Sequence, residues 1–235
     1  MITKESVNER CPTGIKGFDN LCQGGLVKNS VNVLLGGPGT GKTTFLLNFL
    51  WNGCKMFNEN GLFISFEPDL DYIRKDAASF GWNFRALEKE GKCVFIKIPS
   101  TLGTQQVRTR ILSAVKRYGA KRLCIDPIDV FSLNTENRGE IRAALSRIIN
   151  DLKQADVTSL FSDETIETSS DSLFLGDGDT RTRTSKFVAD GLIDMYSSGL
   201  GGGTDRAIRI EKMRRTNHKR GPQPFKITDK GILIG

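Results

Sequence analysis

At 235 residues, with 38% hydrophobic and 26% charged side chains, the chain is long enough to bury a substantial core, which excludes a disordered or collagen-like polymer. No window approaches the roughly 18 uninterrupted apolar residues of a membrane span, and the opening MITKESVNER lacks the basic-then-apolar order of a signal peptide. One cytoplasmic domain over residues 1–235, with no membrane partner, is therefore expected. Five cysteines without a CxxC pair fit neither a disulfide framework nor a zinc ribbon, and read as reduced, mostly buried thiols. The net charge of +7 is concentrated: Arg206, Arg209, Lys212, Arg214, Arg215, Lys219 and Arg220 face only Glu211, a local +6. Such focusing favours phosphate binding, although a solvated edge strand has the same composition.

Taken in chain order, short apolar runs alternate with stretches of helical period. Strands are expected at Val31–Leu35, Leu62–Phe66, Val94–Ile98, Arg122–Ile125, Val157–Phe161 and Phe187–Met195. A helical run, Thr43–Phe57, follows the first. Further along, Val107, Ile111, Val115 and Tyr118 share one helical face, as do Ile141, Leu145, Ile148, Leu152 and Ala155. Residues Ser162–Ser185, rich in Asp, Thr, Ser and Gly, read as a long loop. Beyond residue 195 short strands at Ala207–Met213, Phe225–Ile227 and Ile232–Ile234 are joined by glycine turns. The pattern is an α/β fold, a mainly parallel twisted sheet flanked by helices with a C-terminal antiparallel extension.

Gly36-Gly37-Pro38-Gly39-Thr40-Gly41-Lys42-Thr43 satisfies GxxxxGK[ST] between a strand and a helix, the context a P-loop requires. The glycines let backbone N–H groups turn toward phosphate, Lys42 neutralises β/γ oxygens, and Thr43 offers a hydroxyl to Mg²⁺. ATP and Mg²⁺ are the expected cofactors, with Gly37, Gly39, Thr40, Gly41, Lys42, Thr43 and Thr44 on the nucleotide. Asp126 closes an apolar strand at its carboxyl end, where ligands bind, and is a magnesium carboxylate candidate; a turn residue before Pro127 is the alternative. Glu67 ends another strand on the same rim, placed either as a base for water or as a solvated carboxylate.

The chain also resembles the KaiC-like branch of the RecA superfamily of ATPases. The resemblance is carried by Pro12-Thr-Gly-Ile-Lys-Gly-Phe-Asp19, Gly24-Gly25-Leu26, Phe66-Glu67, Ser79-Phe80-Gly81-Trp82, Phe187-Val-Ala-Asp190-Gly191, Lys212-Met-Arg214-Arg-Thr216-Asn-His218, Pro224-Phe225 and Ile227-Thr-Asp229. It implies a RecA-like P-loop NTPase core, Glu67 as catalytic base beside Lys42, and nucleotide contacts from Ser79, Lys212, Met213, Arg214, Thr216, His218 and Asp229. The later ones reach a neighbouring subunit's site in that family, so self-association into a ring or filament is implied. Three features depart from the pattern. Pro68 stands where a second glutamate is frequent, Arg215 replaces a usual glycine, and Lys186-Phe187 occupy the place of a phosphorylated Ser-Thr pair. With one ATPase domain, a phosphorylation clock is not expected.

The output admits two readings. In a DNA-associated recombinase relative, Arg138 and the loop cations Arg181, Arg183 and Lys186 would line a central channel, although three loop cations without an aromatic platform are a weak DNA signature. The alternative is an ATP-switched scaffold or signalling ATPase acting on a protein partner without DNA. A small-molecule kinase fits least, because a strand-bearing segment precedes the P-loop and no arginine-rich lid follows.

Overall fold

The computed structural model describes residues 9–66, 69–128, 138–164, 188–197, 199 and 205–235, except the side chain of Arg138. Eleven strands and six helices follow in the order β1 (Arg10–Cys11), α1 (Phe18–Leu21), β2 (Leu26–Val27), β3 (Val31–Gly36), α2 (Lys42–Met56), β4 (Gly61–Ser65), α3 (Leu70–Ser79), α4 (Phe84–Lys89), β5 (Cys93–Lys97) and α5 (Thr104–Tyr118). They continue with β6 (Arg122–Asp126), α6 (Arg138–Gln154), β7 (Thr158–Glu164), β8 (Gly191–Ser197), β9 (Arg206–Met213), β10 (Gln223–Thr228) and β11 (Gly231–Ile234); these counts are of the described residues.

Nine strands form one sheet in the order β11-β10-β9-β8-β3-β7-β6-β4-β5. The six from β8 to β5 are parallel, and β9, β10 and β11 continue the sheet antiparallel, as the sequence pattern anticipates. A strand's period of two sends alternate residues to opposite faces. Val31, Val33 and Leu35 accordingly pack in the core under α5 and α6, with Ile111 and Ile148, whereas Leu34 joins the core under α2, with Phe45 and Phe49. All five cysteines are free and buried. No helix among the described residues is long and apolar enough to cross a membrane.

A buried cation pins α2. The Arg122 side chain is wholly enclosed, donating to Glu59 at 2.5 Å, to Phe49 O at 3.0 Å and to Pro12 O at 2.8 Å, between the rings of Phe49 and Phe57. The Pro12–Asp19 motif is part of the same bracket. Asp19 accepts from the N–H and hydroxyl of Thr13 and from Gly14 N, and Asn52 on α2 donates to Thr13 O. That motif holds the nucleotide helix from behind and touches none of the site below.

Several boundaries differ from the sequence expectation. Strand β8 begins at Gly191, since Asp190 turns its carboxylate onto Val31 N (3.1 Å), and it runs on to Ser197; Phe187 lies outside the described residues. Residues Ser162–Glu164 extend β7 rather than opening a loop, because they pair with Leu34–Gly36. Helix α6 opens at Arg138, ahead of Ile141, the first residue of its expected apolar face. Strand β9 is internal at its start, where Ala207 and Ile208 pair with β10, but among the described residues no such pair covers Arg209–Met213. The edge-strand reading therefore holds for half of it. Charge in that segment is also partly neutralised, Arg209 pairing with Asp194 at 2.9 Å and with Glu211.

Candidate nucleotide site

Strand β3 delivers the chain to the carboxyl edge of the parallel strands, and the turn into α2 needs glycine. A Cβ on Gly36 would lie 2.6 Å from Met195 O and 2.7 Å from Thr40 Oγ1. Gly41, at the N-cap of α2, has φ 101°, a left-handed conformation that side chains resist. The loop thus closes tightly and aims the free N–H groups of the first helical turn outward, where partial positive charge collects.

Lys42 is 8% exposed, and its ammonium donates to Gly36 O at 2.8 Å and Gly37 O at 3.0 Å, with Glu164 at 3.9 Å. Burial pulls this ammonium below the ordinary lysine range, partly opposed by the carboxylates of Glu164, Asp126 and Asp163. Phosphate oxygens at the helix terminus would satisfy it better than two neutral carbonyls.

Thr43 donates its hydroxyl to Asp126 Oδ2 at 2.7 Å, and Ser162 donates to Oδ1. Both oxygens of the carboxylate are therefore aimed by neighbours on α2 and β7. Ser162 escapes a reading of motifs; its only signal is a hydroxyl at the carboxyl end of a parallel strand. A hydroxyl backed by one carboxylate fits magnesium, which prefers hard oxygen donors, water and phosphates to a dedicated protein cage. Among the described residues no cluster of three or more His, Cys, Asp or Glu is arranged to hold a metal.

These groups open into a cavity of about 690 Å³, within the usual size for a cofactor site. Gly39, Gly41, Lys42, Thr43, Thr44, Asp126 and Glu164 form its phosphate end, Tyr72 and Asp76 on α3 another wall, and Ile227 of β10 a third. Tyr72 carries no motif and is missed by sequence reasoning, whereas Ile227 lies in the Ile227-Thr-Asp229 motif without being singled out there as a site residue. Gly37 and Thr40 belong to the same loop, Thr40 donating to Gly37 O at 2.9 Å.

Other expected residues lie elsewhere in the chain. Ser79 ends α3 and donates to Asp76 O at 2.6 Å, off the cavity wall. Met213 pairs with Gly191, which pairs with Asn32, so Lys212–Arg214 sit at the opposite edge of the sheet from the P-loop. The strand rise from Asn32 to Gly36 alone is roughly 13 Å. Lys212 and Arg214 do not share a strand face, as Arg214 falls in the turn after β9, yet both turn to the entry of β8: Lys212 donates to Ala189 O at 2.7 Å, and Arg214 approaches Asp190 to 3.9 Å. Arg215 has φ 57°, a left-handed conformation that favours glycine. Thr216 accepts from Arg10 at 2.6 Å, His218 is half-buried with its ring beside Lys219 O, and Asp229 is exposed in the β10–β11 turn. Glu67, Arg181, Arg183 and Lys186 lie outside the described residues, as does the side chain of Arg138.

A P-loop at the carboxyl edge of this strand order, with a threonine–aspartate pair beside it, defines a P-loop NTPase with a RecA-like sheet. A family model described as "ATPase: KaiC" matches residues 11–235. The chain is 33% identical over 235 residues to the circadian clock oscillator protein KaiC of Parasynechococcus marenigrum, covering 96% of this chain and 44% of that one. It is 31% identical to the circadian clock protein KaiC2 of a Synechocystis strain, covering 96% and 40%. A crystal structure of a KaiC-like protein from the hyperthermophilic archaeon Pyrococcus horikoshii superposes with a TM-score of 0.82 at 32% identity, covering 97% of this chain and 99% of that one. The chain belongs to the KaiC family of ATPases, and it spans less than half the length of these two clock relatives.

Proposed function

We propose that the protein is a Mg²⁺-dependent ATPase whose catalytic unit is the boundary between two protomers. The Thr43–Asp126 hydrogen bond at the mouth of the P-loop carries the first half of this reading, because it sets a hydroxyl and a carboxylate where a phosphate-bound magnesium needs them. Bound magnesium would screen charge on the phosphates, Lys42 would hold the β/γ oxygens, and Glu67 would orient the attacking water. The register of β8 and β9 supports the second half, since Lys212 and Arg214 stand too far from their own P-loop to serve it. On a neighbour they would supply charge to the departing phosphoryl group.

Two inactive variants test this together. Lys42→Ala lacks a working P-loop and Arg214→Ala lacks the donated cation, so mixing them creates boundaries in which both are intact. Partial return of hydrolysis in the mixture is expected. Continued inactivity, in mixtures whose co-assembly is shown by light scattering, overturns the boundary reading.

The output proposed is ATP-dependent assembly, with single-stranded DNA as the partner to test first. Stimulation of hydrolysis by DNA, lost as salt rises, would place the protein with DNA-associated recombinase relatives. Its absence at low salt favours an assembly that presents a surface to a protein.

A further inference from the structure

The entry to β8 collects more cations than one carboxylate needs. Asp190 is 5% exposed and must be paired where it lies. Its Oδ2 accepts from Val31 N at 3.1 Å, and its Oδ1 accepts from Lys153 Nζ at 2.8 Å, reached from the last turn of α6. Arg214 is fixed by its backbone, whose N–H donates to Asp190 O at 2.9 Å, but its guanidinium stops 3.9 Å from Oδ1 and its side chain is 54% exposed. Lys212 is beside it on Ala189 O. Burial first, then Arg214, and also Lys153, lower the Lys212 pKa, while Asp190 opposes them, so the three cations share one field.

Two cations compete for Oδ1, and Lys153 holds the hydrogen-bonding place. A guanidinium makes a strong fork with a carboxylate when nothing intervenes, and a buried carboxylate stripped of its lysine has every reason to draw the arginine in. We propose that Lys153 is a positioning residue: by occupying Asp190 it keeps the Arg214 guanidinium turned outward, available to an anionic phosphate group held by the adjoining protomer. The inference rests on the boundary reading above and adds to it the residue that keeps the donated arginine free.

The experiment measures kcat and the dissociation constant for a fluorescent ATP analogue in the full chain, with folding checked by circular dichroism. Lys153→Met is expected to lower kcat roughly tenfold or more while leaving the dissociation constant within about twofold, because Arg214 folds back onto Asp190 and the P-loop is untouched. Adding Asp190→Asn removes the charge that captures Arg214, and the double variant should recover to within about threefold of wild type. A purely structural role for Lys153 predicts the opposite, since removing both partners of a buried pair would not repair a loosened fold selectively in kcat. Wild-type turnover in Lys153→Met, or no recovery in the double variant, overturns the proposal. Arg214→Ala is run alongside: if it keeps full turnover, the boundary reading itself fails, whereas an inactive Arg214→Ala with an unaffected Lys153→Met sinks only the role given to Lys153.

Discussion

Thr43 Oγ1 and Asp126 Oδ2 lie 2.7 Å apart although 83 residues separate them in the chain. The bond joins the first turn of α2 to the carboxyl end of β6, and Ser162 steadies the other carboxylate oxygen from β7. Asp126→Asn keeps the shape and removes the charge. It should weaken magnesium-dependent ATP binding by roughly tenfold or more and leave metal-free nucleotide binding within about twofold, a contrast read by titration with and without Mg²⁺. Equal losses in both conditions would mean that Asp126 supports the loop and not the ion.

Glu67→Gln should retain ATP binding and lose roughly a hundredfold or more in turnover, as removal of a general base does. Single-turnover hydrolysis measures it. Should the variant hydrolyse at the wild-type rate, Glu164 is the carboxylate to test next, since it lines the cavity 3.9 Å from Lys42, whereas Asp163 is buried off that wall.

The lowered pKa of Lys42 gives a pH dependence with a definite sign. Bound phosphate favours the charged ammonium, so nucleotide raises a pKa that burial has depressed from lysine's ordinary 10.5. Between the two values, binding takes up a proton, and affinity falls as pH rises through the free protein's value. Raising the pH toward lysine's ordinary 10.5 should weaken ATP binding, and calorimetry in buffers of different ionisation enthalpy should show proton uptake that is absent in Lys42→Met.

Arg122 tests the frame and not the chemistry. Truncation to alanine leaves Glu59, Phe49 O and Pro12 O without their donor around an emptied volume, so a loss of about 3–5 kcal/mol is expected in urea unfolding. Loss of a few tenths would show that water replaces the guanidinium without penalty.

The sheet was legible because its strands are apolar runs bounded by charge or glycine, and the two long covering helices because Ile111 and Ile148 recur at helical spacing among residues that turn out buried. The P-loop, Thr43 and Asp126 were legible because a local motif and a strand end carry their geometry. Tyr72 and Ser162 were not, since nothing near them in sequence marks a side chain that reaches the site only through tertiary packing, and the motif around Ile227 did not single out that apolar residue. Arg214 illustrates a different limit. It lies one residue beyond a strand that ends at Met213, and what brings it beside Lys212 is the backbone of Ala189 and Asp190, just before the neighbouring strand β8.

Ile227, which walls the cavity and would stand 2.9 Å from a Cβ on Gly41, belongs to a hairpin clamped to α2 by the bond from Ile232 N to Asn48 Oδ1 at 3.0 Å. The phosphate loop is thus shaped at the end of β3 and walled by β10, far along the chain. During synthesis the loop leaves the ribosome nearly two hundred residues before its lining is complete, so a growing chain has the motif long before it has the pocket. Closing the hairpin is the step that turns a glycine-rich turn into a binding site, and nucleotide captured there would hold the two ends of the fold together.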